Sequence, residues 1–256
     1  MKRSLTPKAI TVAVLLFLYL PVLVLVLNSF NAARFGGEWA GFTLDWYRRL
    51  WRAREIWHAL GNTLVIAAAA TAISCVLGTT AALALDRYRS RLQGAHYLLV
   101  YAPLVVPEIL MGMSLLLFFV ALGLRLGYVT IVVSHVTFCV SYVAMVVLGR
   151  LQDFDWGLVE AARDLGADPW TATRRVLLPL LAPGIAAGAL LAFTLSVDDF
   201  VITFFVAGPG TTTLPLHIYS MIKHGSPPLI NALSTLLLAL TVTTVWLSQR
   251  LLEEKR

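Results

Sequence analysis

Three carboxylates lie where the chain offers them no counter-charge. Glu108, Asp198 and Asp199 fall inside long apolar segments, and no Lys or Arg occurs in the core of any such segment. Placing an Asp at the centre of a membrane helix costs roughly 2.5–3.5 kcal/mol on insertion scales. Each of these groups therefore faces a cavity or a partner. A cationic substrate is one solution, and hydrogen bonding to Ser196, Thr194 or a backbone group is the other. Asp198 and Asp199 do not make a protease dyad between themselves, because neighbours on a helix point about 100° apart.

Other chemistries have no visible residues. The chain has no G-x-x-x-x-G-K-[ST] loop, and its lysines (Lys2, Lys8, Lys223 and Lys255) stand in no phosphate-cradling context. No H-E-x-x-H, G-x-S-x-G or metal-spaced His/Cys cluster is present. Cys75 and Cys139 fall inside apolar segments and read as small packing residues. The expectation is a chain with no catalytic residues, metal, cofactor or ATPase site of its own.

The elements that must position the carboxylates are membrane helices. With 59% hydrophobic and 13% charged residues over 256 positions, and a mean hydropathy of +0.79, the chain has too little polar surface for a soluble domain of this size. Six segments reach the roughly 20 residues needed to cross hydrocarbon: 9–30, 63–85, 98–122, 128–149, 184–207 and 229–249. Their apolar positions run all round the helix without period-two alternation, so the fold class is all-α and polytopic, in one domain over 1–256. The basic start Met1-Lys2-Arg3 resembles a signal peptide, but the long apolar core followed by Asn28-Ser29-Phe30-Asn31 reads as a retained anchor.

Most of the 20 basic residues orient the chain with both termini in the cytoplasm. Arg87, Arg89 and Arg91, the 150–183 loop and both ends carry the bias. Arg34, Arg48, Arg49, Arg52 and Arg54 crowd the first outer loop and depart from the rule. Lipid and orientation account for the net charge of +6 without nucleic acid. In this topology Glu108 and Asp198 lie roughly 15 and 21 Å along outward-running spans, at 1.5 Å per residue. Pro103 and Pro107 predict a kink in the third span that opens a polar cavity.

The polar stretch 150–183 reads as two short helices. Leu158 to Leu165 is helix-forming, Gly166 tolerates positive φ, Asp168 caps a second helix with Pro169 in its first turn, and Pro179 and Pro183 end that helix before the fifth span. Such a protrusion is either a docking surface for a protein outside the membrane or an amphipathic hairpin resting on headgroups.

This stretch, Glu160-Ala161-Ala162-Arg163-Asp164-Leu165-Gly166-Ala167 with Val176-Leu177-Leu178-Pro179 following, resembles the coupling loop of ABC-importer permeases: E-A-A, three residues, Gly, nine residues, I-x-L-P, with Val176 in place of the isoleucine. Ser196-Val197-Asp198-Asp199-Phe200, Gly208-Pro209-Gly210, Ile218-Tyr219-Ser220, Asn28-Ser29-Phe30-Asn31, Trp39-Ala40-Gly41-Phe42, Trp46-Tyr47 and Ser134-His135-Val136-Thr137-Phe138-Cys139 are similar to the second of the paired permeases of spermidine/putrescine importers. Glu108 stands where that family more often has Asp.

The resemblance implies a bacterial inner-membrane complex of two different permeases, two ATP-using ATPase subunits and a periplasmic polyamine-binding protein. It implies ATPase docking at Glu160, Ala161, Ala162, Gly166, Ala167 and Pro179, and a substrate path past Trp46, Glu108, Ser196, Asp198 and Asp199. Trp46 is a stacking residue for ammonium groups or a belt tryptophan at the membrane interface. His135 reads as a packed, hydrogen-bonded residue, while His217 and His224 carry no specific signal. A stand-alone secondary transporter and an importer permease for another ligand are the rival classes. The first would not need the loop.

Overall fold

Apolar helices dominate because lipid leaves a backbone no partner other than itself. The computed structural model describes residues 5–34, 38–88, 91–223, 225 and 227–253. Met1, Lys2, Arg3, Arg89, His224 and Lys255, which enter the sequence reading above, lie outside the described residues. The helices are α1 (Leu5–Asn28), α2 (Asp45–Arg52), α3 (Arg54–Arg87), α4 (Gln93–Val105), α5 (Glu108–Ala121), α6 (Tyr128–Gln152), α7 (Gly157–Asp164), α8 (Pro169–Ala172), α9 (Leu178–Asp198), α10 (Val201–Val206), α11 (Leu214–Lys223) and α12 (Pro227–Glu253). Among the described residues the sole β pairing is an isolated bridge between Asn31 and Phe42.

The chain forms two compact units, Met1–Trp57 with His217–Arg256, and His58–Leu216. In the first, α12 packs on α1 and on α2. The loop between α1 and α2 is closed by Asn31, whose amide donates to the Glu38 carbonyl at 2.8 Å while its oxygen accepts from the amides of Ala33 and Ala40. Phe30 stacks on Phe42 with centroids 5.5 Å apart, and the Ser29 and Tyr47 hydroxyls lie 2.7 Å apart. These contacts use the polar and aromatic residues of the 28–47 region for the loop's own structure.

In the second unit α6 is central, and α9 packs along it. Gly78 lets α3 approach the same helix closely, since a Cβ there would lie 2.7 Å from the Cβ of Val143 and 2.9 Å from the Val140 carbonyl. Gly188 faces Val143 as well. Deep contacts of this kind need small residues because lipid supplies no hydrophobic drive between helices.

By length and apolar composition, four described helices are long enough to cross a membrane, or five if the bent pair α4 and α5 is one span. The sixth expected span, 229–249, coincides with α12, in which Pro228–Thr243 is an apolar helical stretch. The third span is kinked as the prolines predict, by 108° at Val106–Pro107, where Pro107 has no N–H to continue the ladder.

Two sequence expectations change, both around the fifth span. Pro179 and Pro183 do not end a helix. Residues Pro169–Asp198 run on as one apolar span, with a π-helical turn over Thr173–Leu177 just ahead of Pro179. A wider turn relieves the clash between a proline ring and the carbonyl four residues back. The fifth span, expected unbroken to 207, instead breaks at Asp199–Phe200 and restarts as α10: Asp199 is extended (φ −63°, ψ 121°), and its carboxylate accepts from the Ile202 and Thr203 amides in the first turn of the new helix.

Candidate translocation site

The bend in one span and the break in another meet at a cavity. Glu108 opens α5 immediately after the bend, Asp198 closes α9, and both side chains are exposed. With Asp199 they line a cavity of ≈ 220 Å³ whose other walls include Phe138, Tyr142, Thr194, Leu195, Phe200 and Val201. No Lys or Arg lines it. Neither Glu108 nor Asp198 has an ion pair or side-chain hydrogen bond among the described residues. An aromatic, acidic cavity without a counter-ion suits a desolvated organic cation.

Asp199 behaves differently although it borders the same space. Its side chain is 5% exposed and accepts from the Thr203 hydroxyl at 2.7 Å, the Thr203 amide at 2.8 Å and the Ile202 amide at 3.3 Å. His135 Nε2 lies 3.2 Å from the same carboxylate and 3.0 Å from Thr203 Oγ1, and its Nδ1 lies 2.7 Å from Ser196 Oγ. Since the Thr203 hydroxyl donates to Asp199, its oxygen is free to accept from Nε2–H. Nδ1 then accepts from Ser196, which assigns the tautomer from the network. The packed reading of His135 holds.

Ser196 is 3% exposed and is not among the residues lining the cavity. Trp46 belongs to the first unit, where its indole N–H donates to the Asn31 carbonyl at 2.8 Å and Arg49 lies 4.9 Å over its ring. Within that unit it lines a cavity of ≈ 130 Å³ with Arg34, Arg49, Gly225, Pro228 and Leu229. Within the second unit the structure brings Glu108, Asp198 and Asp199 together at one cavity.

Sequence reasoning missed the pairing of His135 with Asp199 because 64 positions separate them and neither lies in a motif that implies the other. A local signal for the helix restart was present: Asp199 stands two residues ahead of the apolar run Val201–Val206, within reach of the free amides of its first turn.

The polar stretch has the local geometry its residues predict. Gly166 turns the chain at φ +91°. Asp168 Oδ1 accepts from the amides of Trp170 (2.9 Å) and Thr171 (3.1 Å), and Oδ2 from the Thr171 hydroxyl (2.6 Å), with Pro169 at the first helical position. The Thr171 hydroxyl, followed by the Thr171 amide, holds the Asp168 carboxyl below its ordinary range. Glu160, Ala161, Gly166 and Pro179 are exposed, while Ala162 and Ala167 are half-buried. Leu165 and Trp170 stand 90% and 67% exposed beside them. A polar loop that displays a bare leucine and tryptophan has an unfilled apolar surface.

Comparison with known proteins agrees with this geometry. Residues 74–255 match the family described as binding-protein-dependent transport system inner membrane component. The chain is 42% identical over 243 residues to the spermidine/putrescine transport system permease protein PotC of Escherichia coli (strain K12), covering 95% of this chain and 92% of that one. It is 46% identical over 229 residues to the putrescine transport system permease protein PotI of the same strain, covering 87% and 82%. A bacterial ABC transporter involved in import of the acidic polysaccharide alginate shares the fold, with a TM-score of 0.75 at 17% identity over 98% of each chain. Apolar membrane helices, a kinked and a broken span around a cavity, and a family match over most of the length lead to one assignment: the chain is a multi-pass membrane protein and belongs to the family of binding-protein-dependent transport system inner membrane components.

Proposed function

We propose that this chain is a permease subunit of an ATP-driven importer and carries spermidine- and putrescine-like polyamines across the bacterial inner membrane. The observation that carries the reading is the cavity onto which Glu108 and Asp198 open without a counter-charge. The polyamine transport named for relatives 42% and 46% identical over most of the chain supports it. An ammonium group entering the cavity loses water, and the two carboxylates with the faces of Phe138, Tyr142 and Phe200 replace part of that hydration. Asp199 and Ser196 serve the path from behind, by holding its wall. Trp46 keeps one ring face clear of Arg49 for a passing cation.

Both termini lie in the cytoplasm, and the two units work as one transmembrane domain. The α7–α8 stretch docks on an ATPase through Glu160, Ala161, Ala162, Gly166, Ala167 and Pro179, with Leu165 and Trp170 filling an apolar recess on the partner. ATP is bound and hydrolysed there, outside this chain, and the motion reopens the cavity on alternate sides. A second, non-identical permease completes the path, and a periplasmic binding protein delivers the polyamine.

The test is uptake of radiolabelled spermidine into proteoliposomes containing the full complex. Uptake is expected to require ATP and the binding protein, and unlabelled putrescine, unlike a neutral sugar, is expected to compete. Uptake by this chain alone under a proton gradient, or competition by the sugar alone, would overturn the reading.

A further inference from the structure

We infer that His135 is a positioning residue for translocation: from α6 it fixes the break between α9 and α10, engages Asp199 in the cap of α10, and leaves Asp198 facing the cavity. The ring is 1% exposed and touches the chain before, at and after the break, through Ser196 (2.7 Å), Asp199 (3.2 Å) and Thr203 (3.0 Å). No other described side chain bonds to all three. Phe138, one turn along α6 and itself a cavity wall, packs against the ring with centroids 5.5 Å apart.

The run Val201–Val206 is as apolar as α9, so nothing in its composition stops the helix from continuing through Asp198 and Asp199. In an unbroken helix the two carboxylates would diverge by about 100° and the carbonyls around them would be internally bonded. The break instead sends the two acids to different tasks. Asp199 is surrounded by donors from His135, Thr203 and Ile202, whereas Asp198 has none among the described residues. Removing the ring frees both sides of the break together, and the first functional consequence is a misplaced Asp198.

This inference rests on the transport reading for its readout, and the wild-type complex separates the two: if that complex does not transport polyamine, the reading fails, whatever the variants do. The experiment is a double-mutant cycle on spermidine uptake, normalised to membrane-inserted protein, with His135→Gln, Asp198→Asn and the double variant. Alone, His135→Gln is expected to lower uptake about tenfold. In the Asp198→Asn background it is expected to lower it by less than about twofold, because the group it positions is already gone. A merely structural histidine gives the same fold-loss in both backgrounds, and that result would overturn the inference. Should His135→Gln fail to insert, Ser196→Ala removes one of the three bonds with the ring in place, and the same two outcomes decide. A parallel cycle of His135→Gln with Asp199→Asn is expected to be non-additive too. Losses that multiply there would mean that Asp199 meets the substrate independently of the ring.

Discussion

The indole N–H of Trp156 donates to the carboxylate of Asp86 at 3.1 Å, which ties the residue ahead of α7 to the last turns of α3. Arg87 lies 5.0 Å over the same indole and reaches Glu160 at 3.7 Å. These contacts join the start of α7 to a long membrane helix. Trp156→Phe keeps an aromatic face for Arg87 but loses the N–H donor together with the five-membered part of the indole. It is expected to leave ATP hydrolysis by the complex within about twofold and to lower polyamine moved per ATP several-fold, as loss of one half-buried hydrogen bond of about 1 kcal/mol allows. Equal falls in hydrolysis and transport would contradict a coupling role. The Arg87–Glu160 pair is half to two-thirds exposed and contributes about 0–1 kcal/mol, so Glu160→Gln is expected to leave the thermal midpoint nearly unchanged.

Close packing of α3 on α6 has its own test. Gly78→Ala places a methyl 2.7 Å from the Val143 Cβ, and relief requires a helix to shift. Overpacking of this kind costs about 1–3 kcal/mol. Gly61→Ala, on the same helix with open space around it, is expected to be neutral or slightly stabilising. Thermal unfolding in detergent reads both, and equal midpoints for the two variants would contradict the packing described.

The start of α8 is expected to depend on pH. The Asp168 carboxyl is held below its ordinary range, so its cap is fully present above that ordinary value and is lost as the pH falls through the lowered one. Hydrogen exchange at the Trp170 and Thr171 amides, corrected for intrinsic rates, is expected to show protection at neutral pH that fades in acid. In Asp168→Asn the protection is expected to persist without that pH dependence, since the amide oxygen still accepts. Identical pH profiles for the two proteins would contradict the cap.

The sequence made the helical membrane class, the kink at Pro107, the turn at Gly166 and the cap at Asp168 legible, because each rests on composition or on a few neighbouring residues. The division of labour between Asp198 and Asp199 was not legible: it depends on a ring 64 positions away on another helix. The continuity of Pro169–Asp198 through two prolines was also hidden, since a π-helical turn leaves no distinct residue pattern. The contacts of Trp46 with the Asn31 carbonyl and Arg49 were not legible either, since no motif joins the three residues.

The most direct test of a cationic path is polyamine uptake by the Asp198→Asn/Glu108→Gln double variant in the full complex, normalised to inserted subunit. Both changes remove charge while keeping size and most hydrogen bonding. Uptake is expected to fall by more than about tenfold at nearly unchanged abundance, because a neutral membrane side chain inserts at least as well as a charged one, by up to roughly 2–3 kcal/mol. Full uptake by the double variant would contradict the account, since the ammonium groups would then cross without the two carboxylates that open onto the cavity.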